Sequence, residues 1–137
     1  MELEKITIST EVNKPLAQVW AYYTEPQHIT QWNFADESWH CPSATNDLRV
    51  GGTYQTRMEA KDGSMGFDFT ATYTALKLLE SFTYEFGGRE ATVTFEAVEH
   101  GTRLTLSFDP ETEHPIEMQR QGWQAILNHF KQYAEAQ

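Results

Sequence analysis

Apolar residues recur at every second position along most of this chain, and at helical spacing in only a few places. Ile6, Ile8, Thr10 and Val12 share one face of a period-two run, with Lys5, Thr7, Ser9 and Glu11 on the other, which predicts a half-buried strand. Leu16, Val19, Trp20 and Tyr23 follow at i, i+3, i+4 and i+7, the stripe of one short amphipathic helix. Asn13 is placed to cap that helix, and Pro15 suits its first turn. Pro26 ends it and opens a second short helix carrying Ile29 and Trp32.

From Ala35 to Phe108 the signals are all strand and turn. Trp39 to Thr45 reads as a strand interrupted by Pro42, which places it at a sheet edge. Asp47 to Gly52 forms a turn built on Gly51 and Gly52. Tyr54, Thr56 and Met58 then alternate with Gln55, Arg57 and Glu59. Asp62-Gly63 is a hairpin signal, followed by Phe67, Phe69, Ala71 and Tyr73 on one face. Three further strands carry Phe82, Tyr84 and Phe86, then Ala91, Val93, Phe95 and Ala97, then Leu104, Leu106 and Phe108. Gly87-Gly88, His100-Gly101 and Asp109-Pro110 close them. Short connections of this kind make an antiparallel meander with one apolar face.

The period changes once more at the end. Trp123, Ile126, Leu127, Phe130 and Ala134 fall at i, i+3, i+4, i+7 and i+11, with Pro115 near the start. That predicts a helix of about 20 residues, roughly 30 Å long, enough to cross the sheet. The order β-α-α-β(6)-α describes an α+β fold, one domain over residues 1–137, with the long helix closing a curved antiparallel sheet.

Charge and cysteine content narrow the function classes. Ten Lys and Arg against twenty Asp and Glu leave a net charge of −10, which argues against nucleic acid or an anionic membrane surface as partner. The lone Cys41 has no second cysteine for a disulfide, a zinc ribbon or a redox pair. Met1 to Thr10 contains no apolar h-region, and no run approaches the length of a membrane span, so a cytoplasmic location is expected.

Candidate chemistry is sparse. The histidines His28, His40, His100, His114 and His129 are scattered singly, and no metal is expected. Cys41 lies beside His40, but alternation on a strand sends the two to opposite faces. Glu85, Glu90, Glu96 and Glu99 fall on the wet faces of strands, and Arg57 with Glu59 reads as a surface ion pair. Gly51-Gly52 lacks the third glycine and following helix of a phosphate loop. No cofactor and no catalytic residue is assigned.

Two stretches are more specific than the pattern. Asp47-Leu48-Arg49-Val50-Gly51-Gly52-Thr53-Tyr54, preceded by Val19-Trp20 and Gln31-Trp32, is one. Gly122-Trp123-Gln124-Ala125-Ile126-Leu127 in the last helix is the other. Together they resemble the bacterial proteins similar to the C-terminal domain of the activator of Hsp90 ATPase, within the START-like, helix-grip superfamily. The resemblance implies a seven-stranded antiparallel sheet gripping the C-terminal helix, often with a cavity for apolar small molecules between them. It also brings a protein-interaction role and, more distantly, cyclase- or dehydratase-type enzymes into view.

Eight Phe, six Tyr and four Trp are the chain's one compositional excess. Such rings are either plain core or the lining of a ligand cavity, and rigid rings fill the wedge beneath a bent sheet poorly. The expected lining begins with Trp20, Trp32 and Trp39 near the small helices. The strands supply Tyr54, Met58, Phe67, Phe69, Tyr84, Phe86, Phe95 and Phe108, and the closing helix Trp123, Leu127 and Phe130. The favoured function is a small-molecule-binding protein for an apolar or aromatic ligand, oriented by a few Tyr hydroxyls or Trp indole N–H groups.

Overall fold

A computed structural model describes residues 4–137. It contains seven strands, β1 (Ile6–Val12), β2 (Trp39–Asn46), β3 (Thr53–Ala60), β4 (Gly66–Lys77), β5 (Ser81–Phe86), β6 (Arg89–Val98) and β7 (Gly101–Phe108). Two short helices, α1 (Leu16–Thr24) and α2 (Pro26–Trp32), sit between β1 and β2, and α3 (Ile116–Glu135) follows β7. The sheet order is β1-β7-β6-β5-β4-β3-β2, antiparallel throughout, so the meander runs from β2 to β7 and β1 returns beside β7. This is the expected α+β, helix-grip arrangement, a curled half-barrel around a long helix. No helix among the described residues is long and apolar enough to cross a membrane.

Turn chemistry sets the register. Gly87 and Gly88, at φ +59° and +80°, form the two-residue link that pairs Phe86 with Arg89 across β5 and β6. In β2 the ladder slips between His40 and Ser43, around Pro42, on the outer edge where a missing donor costs nothing. The Asp47–Gly52 turn is tied to β4: Gly51 N–H donates to the Tyr73 carbonyl (2.8 Å), and Tyr73 N–H donates to the Gly52 carbonyl (3.0 Å). A Cβ on Gly52 would stand 2.0 Å from the Asp47 carbonyl oxygen, so close backbone approach is what this glycine permits. Asp47 and Arg49 do pair, at 2.8 Å on the exposed rim.

Helix α3 serves the sheet with two faces. Its apolar stripe buries Leu127, Phe130 and Ala134, and Trp123 stacks on Phe108 with ring centroids 4.0 Å apart. Its polar flank lies along the outer edge of β1. Arg120 donates to the Thr7 carbonyl (3.3 Å), Gln124 to that of Ser9 (3.4 Å), and Lys131 to that of Glu11 (2.8 Å). Those alternate carbonyls are the ones β7 leaves free, so a helix flank replaces the missing neighbour strand. Gln124 and Lys131 are half-buried for this reason rather than simply wet.

Asn13 does not cap α1. Pro15 is the N-cap residue and its carbonyl receives the first helical bonds, while the Asn13 backbone N–H donates to the Glu135 carboxylate (2.9 Å). The helix thus begins two residues later than a cap at Asn13 would place it. At the other end of that helix, buried Gln119 bonds the backbone of Glu111 and His114, closing the loop before α3.

Two measurements check this packing. Phe130→Ala is expected to lower stability by about 3–5 kcal/mol in urea unfolding, as large-to-small core changes do. Gly52→Ala is expected to destabilise by about 1–3 kcal/mol through overpacking. Gly122→Ala, in mid-helix with open space around the new methyl, should instead stabilise by roughly 0.5–1 kcal/mol. The same sign for both glycine substitutions would contradict this account.

Candidate functional site

Because α3 lies along β1 and α2 lies against β2, the two helices cover opposite margins of the curved sheet. Over β3 and β4 the side chains do not meet, and a cavity of about 250 Å³ remains. Strand β3 supplies Tyr54, Thr56 and Met58, its alternate inward positions, and β4 supplies Phe67 and Phe69. Tyr84 comes from β5 and Leu106 from β7. Tyr23, Trp32 and Asn33 line the side of the small helices, while Trp123, Ile126 and Leu127 come from α3. Benzene fills an apolar cavity of roughly 150 Å³ and drug-sized ligands need about 300 Å³ or more, so this space fits one or two rings.

The expected lining divides. Trp32, Tyr54, Met58, Phe67, Phe69, Tyr84, Trp123 and Leu127 stand on the cavity wall. Trp20, Trp39, Phe86, Phe95, Phe108 and Phe130 do not, and the reason is local in each case. Trp20 and Phe95 pack on each other at 4.9 Å beneath α1. Phe130 is fully buried between Tyr23 (4.9 Å) and Trp32 (5.0 Å). Phe108 is covered by its stack with Trp123, and Phe86 lies under Trp123 (6.1 Å) and Arg89 (4.8 Å). Trp39 is carried outward on the edge strand, beside Phe67 at 6.0 Å. Phe67 itself is 50% exposed and stands where the cavity meets solvent rather than inside the core.

Five wall residues lie outside that expectation. Tyr23, Leu106 and Ile126 sit on apolar stripes already visible in the sequence, and Thr56 shares the inward face of Tyr54. Asn33 follows the end of α2 and carries no periodic signal at all.

The polar groups of the wall are neutral, and several are unpaired. Thr56 is 1% exposed and its Oγ1 has no hydrogen-bond partner, the one such side-chain atom among the described residues. Among those residues none bonds the hydroxyls of Tyr23, Tyr54 or Tyr84, whereas the Tyr73 hydroxyl donates to Asn46 Oδ1 (2.7 Å). Burial pushes the Tyr23 phenol well above its ordinary value, and the neighbouring phenols of Tyr84 and Tyr73 add to this. Tyr54 is raised in the same way, by burial first and then by Tyr84, Tyr23 and Tyr73. Tyr84 is raised by burial and by Tyr73. The Trp32 indole N–H is already committed to the Tyr22 carbonyl (2.9 Å), so it is not a free donor for a ligand. The Asn33 amide makes a long contact with Met58 Sδ (3.7 Å) and also lies against the Cys41 thiol. None of the lining residues is charged.

Elsewhere the titratable groups read as structure. Arg57 pairs with Glu59 (2.9 Å) and Asp68 (3.6 Å) on partly exposed strand positions. Cys41 is buried, its Sγ rests 3.4 Å from the Ser43 carbonyl, and burial pushes its thiol up, the reverse of what a nucleophile needs. Glu111, Glu113 and His114 gather on the loop before α3, their ligand-capable atoms within 4.8 Å of one another. There the His114 ring holds the Glu111 carboxyl below its ordinary range, which an ion pair explains without a metal.

Comparison with known proteins follows the fold. A family model described as activator of Hsp90 ATPase homolog 1-like protein matches residues 13–135. The solution structure of the AHSA1-like protein from Aeromonas hydrophila is 40% identical, covers 96% of this chain and 92% of its own, and superposes with a TM-score of 0.91. A Cytophaga hutchinsonii protein is 46% identical over 96% of this chain and 92% of its own, with a TM-score of 0.83. A Nitrosomonas europaea protein at 19% identity, covering 97% of this chain and 95% of its own, shares the fold at a TM-score of 0.84. No curated protein matches the chain.

Two expectations come from the wall itself. Thr56→Val keeps the shape and removes the orphaned hydroxyl, so it should raise stability by about 1 kcal/mol in urea unfolding. The raised phenols set a pH dependence. Unfolded tyrosines lose protons near pH 10 while Tyr23, Tyr54 and Tyr84 keep theirs in the fold. Their contribution is therefore intact below pH 10. It falls above that value by about 1.4 kcal/mol per pH unit for each phenol still protonated. Stability that stays level from pH 9 to pH 11.5 would contradict this reading.

Proposed function

The chain belongs to the activator of Hsp90 ATPase homolog 1-like family, and from that premise we propose that it is a small-molecule-binding protein holding an apolar or aromatic ligand of one or two rings between sheet and α3. The observation that carries this reading is the uncharged, aromatic-walled cavity of about 250 Å³ under α3. Such a site works by desolvation. A ligand burying about 200 Å² of apolar surface gains roughly 5 kcal/mol at 25 cal/mol per Å². Lost translational freedom and side-chain ordering offset part of it, so affinities in the micromolar-to-millimolar range are expected. Phe69 packs against Tyr54 (6.1 Å), Tyr84 (6.2 Å) and Phe86 (5.2 Å), which makes it the ring that ties the β4 wall to its neighbours.

Titration with indane or naphthalene should give saturable changes in Trp fluorescence and in the amide signals around Trp32, Phe69 and Trp123. Phe69→Asp should abolish them, with circular dichroism confirming that the variant still folds. Ile126→Trp, which fills the cavity from the α3 side, should weaken binding at least tenfold without a buried charge. A broad screen of apolar ring compounds that yields no saturable change would overturn the reading.

A further inference from the structure

The wall is not uniformly apolar, and its polar atoms lie together. Tyr54 and Thr56 are inward neighbours on β3, two residues apart. The small Ala71 of β4 separates Tyr54 from the β5 strand, and Tyr84 crosses that gap to meet the Tyr54 ring edge-on, centroids 5.7 Å apart at 90°. Tyr23 approaches from α1, close enough to Tyr84 for that phenol to disfavour its ionisation. Leu106 of β7 and Ile126 and Leu127 of α3 offer no donor. The Thr56 Oγ1 is sealed within the protein, so the hydroxyls of Tyr54 and Tyr84 are the unpartnered donors on this side.

We infer that the cavity selects a ring compound carrying an uncharged hydrogen-bonding oxygen, a carbonyl or hydroxyl group, received by the hydroxyls of Tyr54 and Tyr84. This deepens the binding reading above and rests on it. Charge is the discriminating property. The phenols stay protonated at neutral pH and serve as neutral donors, so a ketone oxygen finds partners there. A carboxylate pushed past the mouth at Phe67 would meet no lysine, arginine or histidine on the wall, and its desolvation would go uncompensated. The ring of the ligand then rests against Phe69, Trp123 and Leu127, and its oxygen points toward β3 and β5.

The test uses three compounds of one shape, indane, 1-indanone and indane-1-carboxylate, titrated into the protein at pH 7 and followed by amide and indole shifts. The expected result is 1-indanone binding about tenfold tighter than indane, one satisfied hydrogen bond's worth. The carboxylate should bind at least tenfold more weakly than the ketone. In Tyr54→Phe and in Tyr84→Phe the ratio of ketone to indane affinity should shrink severalfold. Circular dichroism and saturable indane binding confirm that each variant keeps its fold and cavity. Equal wild-type affinities for indane and 1-indanone would overturn the inference and leave the binding reading intact. So would a carboxylate bound as well as the ketone, or a preference untouched by both substitutions. No saturation by any of the three would overturn both.

Discussion

Everything in this structure follows from one requirement: a seven-stranded curled sheet with an apolar concave face has a single long helix to cover it. Helix α3 meets that requirement off-centre. It is held to the β1 margin by Arg120, Gln124 and Lys131, whose side chains take the carbonyls of Thr7, Ser9 and Glu11, and by the stack of Trp123 on Phe108. A helix is about 10 Å across with its side chains, while seven strands spaced about 4.8 Å apart span far more than that. The opposite margin therefore falls to α2, resting on β2. The interval between the two helices is where the cavity lies.

The aromatic residues serve both regimes on either side of that interval. Under α1 and the inner half of α3 they close-pack: Trp20 on Phe95, and Phe130 between Tyr23 and Trp32. Over β3 and β4 the same residue types face one another across open volume. Tyrosine suits such a wall because its ring belongs to the core while its hydroxyl reaches the open side. Thr56 is a different case. Its hydroxyl is sealed within the protein without a partner, a local loss of stability that no contact around it offsets.

The neutral character of the site contrasts with the rest of the molecule. A net charge of −10 is spread over an outer surface that carries Arg57 with Glu59 and Asp68, and Arg103 between Glu11 and Glu96. No charged side chain turns inward to the cavity. Burial in this uncharged space raises the phenols of Tyr23, Tyr54 and Tyr84 further above their ordinary value, so they stay neutral into the alkaline range.

Periodicity alone determined the elements, their order and the inward faces, because a strand's two-residue repeat and a helix's 3.6-residue repeat are local properties of the backbone. The Asp47–Gly52 turn, the edge position of the Pro42 strand, the opposed His40 and Cys41, and the stripe from Trp123 to Ala134 were all legible in this way. Which inward ring fills core and which borders a void was not. Phe95 and Tyr84 look alike in sequence, yet one is sealed by Trp20 of α1 and the other faces open space, and only where the helices lie over the sheet separates them. Asn13 was likewise lost as a cap to a contact with Glu135, 122 residues away. Trp32's indole N–H was taken by the Tyr22 carbonyl before any ligand could use it. Thr56 shows the limit most plainly: its inward face is written in the alternation of β3, but its lack of a partner is a property of everything around it, which exists only once the chain has folded.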